Sequence, residues 1–306
     1  MNQKFLEQLA EILPEKNIYI NEPMNKHTTF RIGGSADVLV TPGVSETAEV
    51  LRLCKNHDIP VTIIGNGSNL LVGDQGIRGV VIEFGRPAEE IIIQGEQMHV
   101  TAGTMLSKAA NEAAANGLSG LEFAAGIPGT VGGAVVMNAG AYGGEMKDVI
   151  RTVTVLTKEG EKRTLTLEEL DLGYRHSCIP ENNYIVLSAE LSLQKADTEQ
   201  IRAVMADLRE RRVTKQPLEY PSAGSTFKRP ENHFAGALIE NAGLKGFSVG
   251  GAEVSEKHAG FVINKGNATC SDVIALISYV QKTILDKDGV LLEPEVQYWE
   301  RPSKTK

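Results

Sequence analysis

Apolar residues recur along this chain with two different periods, and the alternation between them predicts its elements. Helical spacing from Phe5 to Leu13 stops at Pro14. A short strand is expected at Asp37–Val40, then a helix capped by Ser45 and running to Asn56, with Val50, Leu51 and Cys54 on one face. The β-branched run Val61–Ile64 reads as a strand that enters a glycine loop, and the stretch after Leu70 is again strand-like. Strands near Ile91–Ile93 and Met98–Thr101 precede an alanine-rich helix from Met105 to Asn116, which Gly117 closes. Val153–Thr157 and Glu161–Leu165 form a hairpin by pattern. Thr166 with Glu169 has the spacing of a capping box for a short helix, and Tyr184–Leu193 alternates as a strand.

A boundary comes next. Asp197 with Gln200 opens a helix to Arg212, and beyond it lies a polar loop rich in proline, glycine and serine. A helix at Phe234–Ala242, strands at Ala252–Val254 and Gly260–Ile263, an amphipathic helix from Asp272 to Leu285, and strands at Val290–Leu292 and Val296–Trp299 complete the chain. Strands dominate the first two thirds and a compact α/β unit the last. The expected class is α+β: a ligand-binding domain over residues 1–196, in subdomains 1–84 and 85–196, and a smaller α/β domain over 197–306 that lids it.

Two glycine stretches interrupt the pattern. Gly65-Asn66-Gly67-Ser68-Asn69 comes after a strand, as a dinucleotide fingerprint would, but position 70 is Leu and no helix starts there. The Rossmann reading therefore fails. A loop between strands can still hold pyrophosphate with backbone N–H groups and with Ser68 and Asn69. The second stretch, GIPGTVGGAVVMNAGAYG from Gly126 to Gly143, has little but small residues between its glycines. It reads as main chain wrapped on a large flat or anionic ligand, or as close packing of elements with turns between them.

Composition narrows the chemistry. At 306 residues the chain suits two domains or one large one, and its net charge of −8 argues against a nucleic-acid partner, which needs a basic face. Cys54, Cys178 and Cys270 are far apart and odd in number, as in a cytosolic protein with reduced thiols. The histidines show no metal-ligand spacing, and no apolar run suits a signal peptide or a membrane span. The basic cluster Arg209, Arg211, Arg212 and Lys215 suits the end of a helix dipole better than it suits a phosphate patch.

Three residues resist a purely structural account. Ser225 lies in Ala223-Gly224-Ser225-Thr226-Phe227-Lys228, which lacks the second glycine and following helix of a hydrolase elbow. A nucleophile is disfavoured there; a proton donor or a turn hydroxyl stays open. Arg175, after Gly173-Tyr174, is either a carboxylate clamp or a surface arginine. Glu295, in Glu293-Pro294-Glu295-Val296, sits at the mouth of a strand, where exposed carboxylates are common.

Taken together, five motifs in this order, GNGSNLLV, the glycine run 126–143, GYRHS, GSTFKRP and LEPEV, resemble the UDP-N-acetylenolpyruvoylglucosamine reductases. The resemblance spans nearly the whole chain, from HTTFRIGG to LEPEVQYW. It implies an FAD-binding domain of the vanillyl-alcohol-oxidase (PCMH) type and a substrate domain. The implied activity is a hydride relay: NADPH reduces FAD, and the enolpyruvyl ether of UDP-N-acetylglucosamine then takes hydride from flavin N5 to give UDP-N-acetylmuramate for peptidoglycan. Residue by residue, it makes Ser225 the proton donor, with Arg175 and Glu295 stabilising the intermediate. It places Gly65, Asn66, Gly67, Ser68 and Asn69 at the pyrophosphate, and Gly126, Ile127, Pro128, Gly129, Gly132, Gly133 and Asn138 at the isoalloxazine and ribityl chain. Lys215, Lys228 and His258 become candidates for the UDP-sugar.

The resemblance also implies a cytoplasmic enzyme with no obligatory protein partner. Only eight residues separate Arg175 from Tyr184, and Arg229 stands where longer members have asparagine, so the shorter subtype without a tyrosine lid is the match. Another flavin oxidase or dehydrogenase of the same superfamily would keep the glycine loops but has no reason to keep the three later motifs. A non-catalytic flavin or sugar-nucleotide binder is the remaining alternative.

Overall fold

The structure is a computed structural model and describes residues 2–301. Its described residues divide into two units that are not contiguous in sequence: residues 2–20, 38–66 and 79–211 form one, and 21–37, 67–78 and 212–301 the other. The sequence pattern placed the break between the two domains at 196/197, with a subdomain break at 84/85. Short segments such as 21–37 and 67–78 carry no compositional mark of belonging with the C-terminal third.

The first unit holds two cores. In one, helix α1 (Gln3–Ile12) and helix α2 (Thr47–Asn56) bury Phe5, Leu9, Val50, Leu53 and Cys54 against Val38, Val40, Val80 and Ile82. Asn2 caps α1 by accepting a hydrogen bond from the N–H of Phe5 at 2.8 Å. Ser45 does not cap α2. The helix starts one residue later, after Glu46, and the Ser45 hydroxyl donates instead to the Glu46 carboxylate at 2.9 Å. The strand Val61–Ile64 runs parallel to the last part of the long strand Leu70–Glu83, pairing Val61 with Val80 and Ile64 with Glu83. The first glycine loop thus leads into a strand and not a helix, as the leucine at position 70 required.

The other core lies on a five-stranded antiparallel sheet in the order 162–166, 150–156, 185–192, 97–101 and 91–94. Val153, Val155, Leu187, Ala189, Met98 and Val100 point into it. Helix α3 (Leu106–Ala115) adds an alanine face, Ala109, Ala110, Ala113 and Ala114, whose small side chains let it lie close. Gly117 at φ +67 comes just after its end. Helix α4 (Val131–Val136), inside the glycine run, has no counterpart in the periodicity. Glycine is a poor helix former; here burial of Val131, Ala134 and Val135 and a cap from Thr130 decide the conformation. The reciprocal bonds of Thr166 and Glu169 form, at 2.9 and 3.3 Å, but they close a turn and not a helix.

Helix α5 (Cys178–Glu181) is capped by Ser177, and α6 (Thr198–Lys215) opens where Asp197 accepts from the N–H of Gln200 at 3.0 Å. The second unit packs α7 (Ala235–Asn241) and α8 (Cys270–Asp288) with a three-stranded sheet of 248–249, 252–254 and 262–264. Val273, Leu276, Ile277, Val280 and Ile284 of α8 face this core. Gln297–Arg301 runs parallel to the start of the long strand Leu70–Glu83, whereas 290–292 is not a strand, although Leu292 is fully buried.

Two devices fix the start of α8. Thr269 and Asp272 cap it reciprocally, at 3.0 Å each way. Asp74, far away in sequence, accepts from the N–H of Cys270 (2.7 Å), the N–H of Ser271 (3.0 Å) and the Ser271 hydroxyl (2.7 Å). Hydrogen bonds to a charged acceptor are the stronger kind. Asp74→Ala is therefore expected to destabilise this unit by about 1.5–3 kcal/mol, measured as a lower denaturant midpoint with an unchanged slope.

Candidate functional site

The two glycine stretches meet in the first unit. A Cβ at Gly65 would lie 2.2 Å from the hydroxyl oxygen of Thr130, so only glycine permits this approach. Next to it, the amide nitrogen of Asn66 donates to the carbonyl of Pro128 at 2.7 Å. Thr130 is buried and also accepts from the N–H of Gly133 at 3.4 Å as the α4 cap. Among the described residues, the backbone N–H groups of Asn66, Gly129 and Thr130 take no hydrogen bond. Gly126, Pro128 and Gly133 are exposed, and Ile127 and Gly129 half-buried.

The expected cofactor residues are not all alike. Gly132 faces inward: its N–H donates to Ala102 O at 2.9 Å, and a Cβ there would lie 2.9 Å from the Cβ of Ala102. It serves the packing of α4. Gly67, in the second unit, has φ +59, and a Cβ on it would meet His27 O at 2.1 Å, so its lack of a side chain is a backbone requirement. Ser68 is half-buried. The side-chain amide of Asn69 donates to Glu295 O at 3.0 Å, and Asn69 O accepts from the N–H of Gln297 at 2.9 Å. Asn138 is 1% exposed, and its amide is engaged within the protein.

Arg175 is half-buried at the tip of a two-residue turn in which Gly173 and His176 exchange both backbone hydrogen bonds, each at 3.2 Å. Its φ of +54 is left-handed, which costs a non-glycine residue about 1–2 kcal/mol. Its guanidinium carbon lies 5.2 Å from the centre of the exposed Tyr174 ring.

In the second unit, Ser225 and Glu295 lie on neighbouring segments. The N–H of Glu295 donates to Thr226 O (2.8 Å), the N–H of Lys228 to Glu293 O (2.8 Å), and the N–H of Thr226 to Gly260 O (2.8 Å). Thr226 and Phe227 are buried at 4% exposure each, and the Thr226 hydroxyl accepts from the N–H of Val262 at 2.9 Å. Gly224, at φ +77, makes the turn that leaves Ser225 exposed. The Ser225 hydroxyl takes no hydrogen bond among the described residues, so it does not serve as a turn hydroxyl. Thr130, Thr226 and Ser177 were missed by sequence reasoning. For Ser177 and Thr130 a capping position was the available signal; Thr226 carried none.

Of the nucleotide candidates, His258 is drawn next to the serine segment through Gly260. Its Nδ1 accepts from the N–H of Gly260 at 3.1 Å, and its ring packs edge-on against Phe261 at 5.0 Å. Burial pushes its pKa below the usual 6.5, with the positive charge of Lys245 acting in the same sense. The Lys228 ammonium sits 2.5 Å from a Glu293 carboxylate oxygen, so its charge is already paired. Lys215 is exposed on the last turn of α6, where a helix dipole favours a cation.

Residues 216–299 match the C-terminal domain of UDP-N-acetylenolpyruvoylglucosamine reductase, and residues 36–166 match an FAD binding domain. Among curated proteins, the UDP-N-acetylenolpyruvoylglucosamine reductase of Agathobacter rectalis is 56% identical over 97% of this chain and 98% of its own. The chain belongs to the UDP-N-acetylenolpyruvoylglucosamine reductase family. A solved structure of that reductase (MurB) from Thermus caldophilus superposes with a TM-score of 0.80 at 38% identity, over 92% of this chain and 98% of that one. Alkyldihydroxyacetonephosphate synthase shares only the fold, with a TM-score of 0.50 at 15% identity over 64% of this chain and 41% of that one. The α+β architecture with a PCMH-type FAD domain is thereby established. Among the described residues no helix is long and apolar enough to cross a membrane.

The meeting of the Gly65 and Gly126–Gly133 loops suits a flavin dinucleotide: small residues let a ligand reach main chain, and unpaired N–H groups suit phosphate and ring oxygens. Gly65→Ala is expected to push Thr130 aside, lower stability by about 1–3 kcal/mol and reduce the flavin-to-protein absorbance ratio of the purified protein. Adding Thr130→Ala, which removes the oxygen at 2.2 Å, restores part of both. His258 gives a pH dependence. Its neutral form is favoured in the fold, so below about 6.5 the unfolded chain binds more protons and stability falls as pH falls. His258→Asn removes that share of the acid slope in melting temperature.

Proposed function

We propose that this chain catalyses the FAD-dependent reduction of the enolpyruvyl ether of UDP-N-acetylglucosamine to UDP-N-acetylmuramate in peptidoglycan synthesis, with NADPH as reductant. The observation that carries the reading is the pairing of the Ser225 and Glu295 segments, in a region that matches the reductase's own C-terminal domain. Three free thiols at Cys54, Cys178 and Cys270 agree with a reducing compartment, the cytoplasm.

When bound, FAD supplies the hydride; Gly65, Asn66 and the Gly126–Gly133 loop of the first unit would hold it. Once the terminal enol-ether carbon has taken hydride, negative charge grows on the adjacent carbon and into the substrate carboxylate. The fixed planar cation of Arg175 interacts more strongly with that charge than with the ground state, which is the condition for lowering a barrier. Ser225 then donates its proton to the carbon. A hydroxyl is a weak acid, but a carbanionic centre is basic enough to take a proton from one already in place. With no hydrogen bond among the described residues, this hydroxyl can turn toward the acceptor without breaking one. Glu295, held by Thr226 and Asn69 through its backbone, is assigned to stabilising the same intermediate.

Mixing the yellow protein with NADPH should bleach the flavin, and adding the enolpyruvyl sugar nucleotide should restore its absorbance. Ser225→Ala is expected to leave the first step unchanged and slow the second by about 10²–10⁴-fold, measured by stopped flow. Wild-type-like reoxidation in that variant removes the serine from the mechanism. A wild-type protein that bleaches but is not reoxidised by the sugar nucleotide is a different flavin enzyme.

A further inference from the structure

We propose that Asn138 is a positioning residue: from inside the flavin-binding glycine run, its amide holds the turn that presents Arg175. The inference rests on the reading of Arg175 as the group that meets the substrate carboxylate. An asparagine amide offers two N–H donors and one oxygen acceptor. In Asn138 all are engaged: the nitrogen donates to Glu145 Oε2 at 2.7 Å and to Gly173 O at 3.0 Å, and the oxygen accepts from the N–H of Lys147 at 2.9 Å.

Gly173 O is the carbonyl at one side of the Arg175 turn, where it also accepts from the N–H of His176 at 3.2 Å. The opposite side of the turn is tied to the same stretch, because the buried Ser177 hydroxyl donates to Val136 O at 2.7 Å. Between these two ties lies Arg175 in its left-handed conformation. A turn with an unfavourable central dihedral persists only where its surroundings over-determine it. A side chain that is 1% exposed with no donor to spare is a strut for its neighbours. The resemblance places Asn138 at the isoalloxazine and ribityl chain; its side-chain amide bonds Glu145, Lys147 and the Gly173 carbonyl of the arginine's turn.

The test uses the flavin-loaded protein and two kinds of measurement. Hydrogen–deuterium exchange of peptides covering residues 173–177 reports the turn directly. Stopped flow reports reduction by NADPH and reoxidation by the enolpyruvyl sugar nucleotide in wild type, Asn138→Ala, Arg175→Ala and the double variant. Asn138→Ala is expected to speed exchange in the turn about tenfold, the effect of one lost hydrogen bond. Reoxidation should slow by up to about 10²-fold, as for a small misplacement, with NADPH reduction and flavin content kept. In the Arg175→Ala background the same change should add nothing to the reoxidation defect.

N138D combined with E145Q keeps an acceptor for Lys147 and a bond between positions 138 and 145, but loses the donor to Gly173. It should reproduce the Asn138→Ala result, and it takes over the test if that variant does not fold. Unchanged turn exchange, or an effect that multiplies fully with Arg175→Ala, overturns the proposal. Loss of flavin with reoxidation intact in the loaded fraction overturns it too, and returns Asn138 to the cofactor. If wild type itself fails to turn over the sugar nucleotide, the functional reading falls, while exchange in the turn still decides whether Asn138 holds it.

Discussion

A missing side chain at Gly65 is the constraint on which the flavin-binding unit depends. With no Cβ there, the chain leaving the strand Val61–Ile64 comes within reach of the Thr130 hydroxyl, which in turn caps α4. The neighbouring Asn66 amide then ties this loop to Pro128. Two loops separated by some sixty residues of chain become one surface, with N–H groups unpaired among the described residues. Helix α4 depends on the same contact, for its sequence has little helical preference of its own, and its cap and buried valines hold it.

The second unit solves a different problem. Ser225 is exposed on a segment whose neighbours are buried. Ala223, Thr226 and Phe227 are each below 7% exposure, and Thr226 is bonded on three sides, to Gly260, Val262 and Glu295. The ion pair of Lys228 with Glu293 joins the same two segments two residues further along. An exposed ion pair contributes little to stability, but here it lies on an existing backbone pairing and fixes register. That is a reason for lysine and glutamate at these positions without any ligand.

Much of the architecture was legible because it rests on local chemistry. The α8 stripe, the strands Val61–Ile64 and 97–101, the Asp197 cap and the leucine at position 70 that excluded a Rossmann turn are all written within a few neighbouring residues. The errors have two causes, local competition for a capping group and partners far away in sequence. Ser45 had the residue type of a cap, but its hydroxyl went to Glu46. Thr166 and Glu169 made their capping box with no helix behind it. Helix α4 and the unit boundaries depend on tertiary contacts that no window of sequence contains. For the site, the motifs marked the segments that carry the proposed catalytic residues but not the division of labour inside them. Gly65 and Gly132 are the same letter, yet one lets two loops meet and the other lets a helix lie on Ala102.

That division explains why the asparagines in the glycine loops matter. Glycine gives a loop access to a ligand but also leaves it mobile, and a reaction that stabilises developing charge needs donors fixed in advance. In this chain each glycine loop carries an asparagine whose amide reaches the backbone of a segment with a proposed catalytic residue: Asn69 to Glu295 O at 3.0 Å, and Asn138 to Gly173 O at 3.0 Å. Both bonds go to main-chain carbonyls, so they set where the segment lies without touching the functional side chain. An aspartate in either place would meet the carbonyl with an acceptor and push it away. The amide is therefore the side chain of this size that can brace a carbonyl and accept a backbone N–H at once, and it lets flexible loops and rigid catalytic segments share one framework.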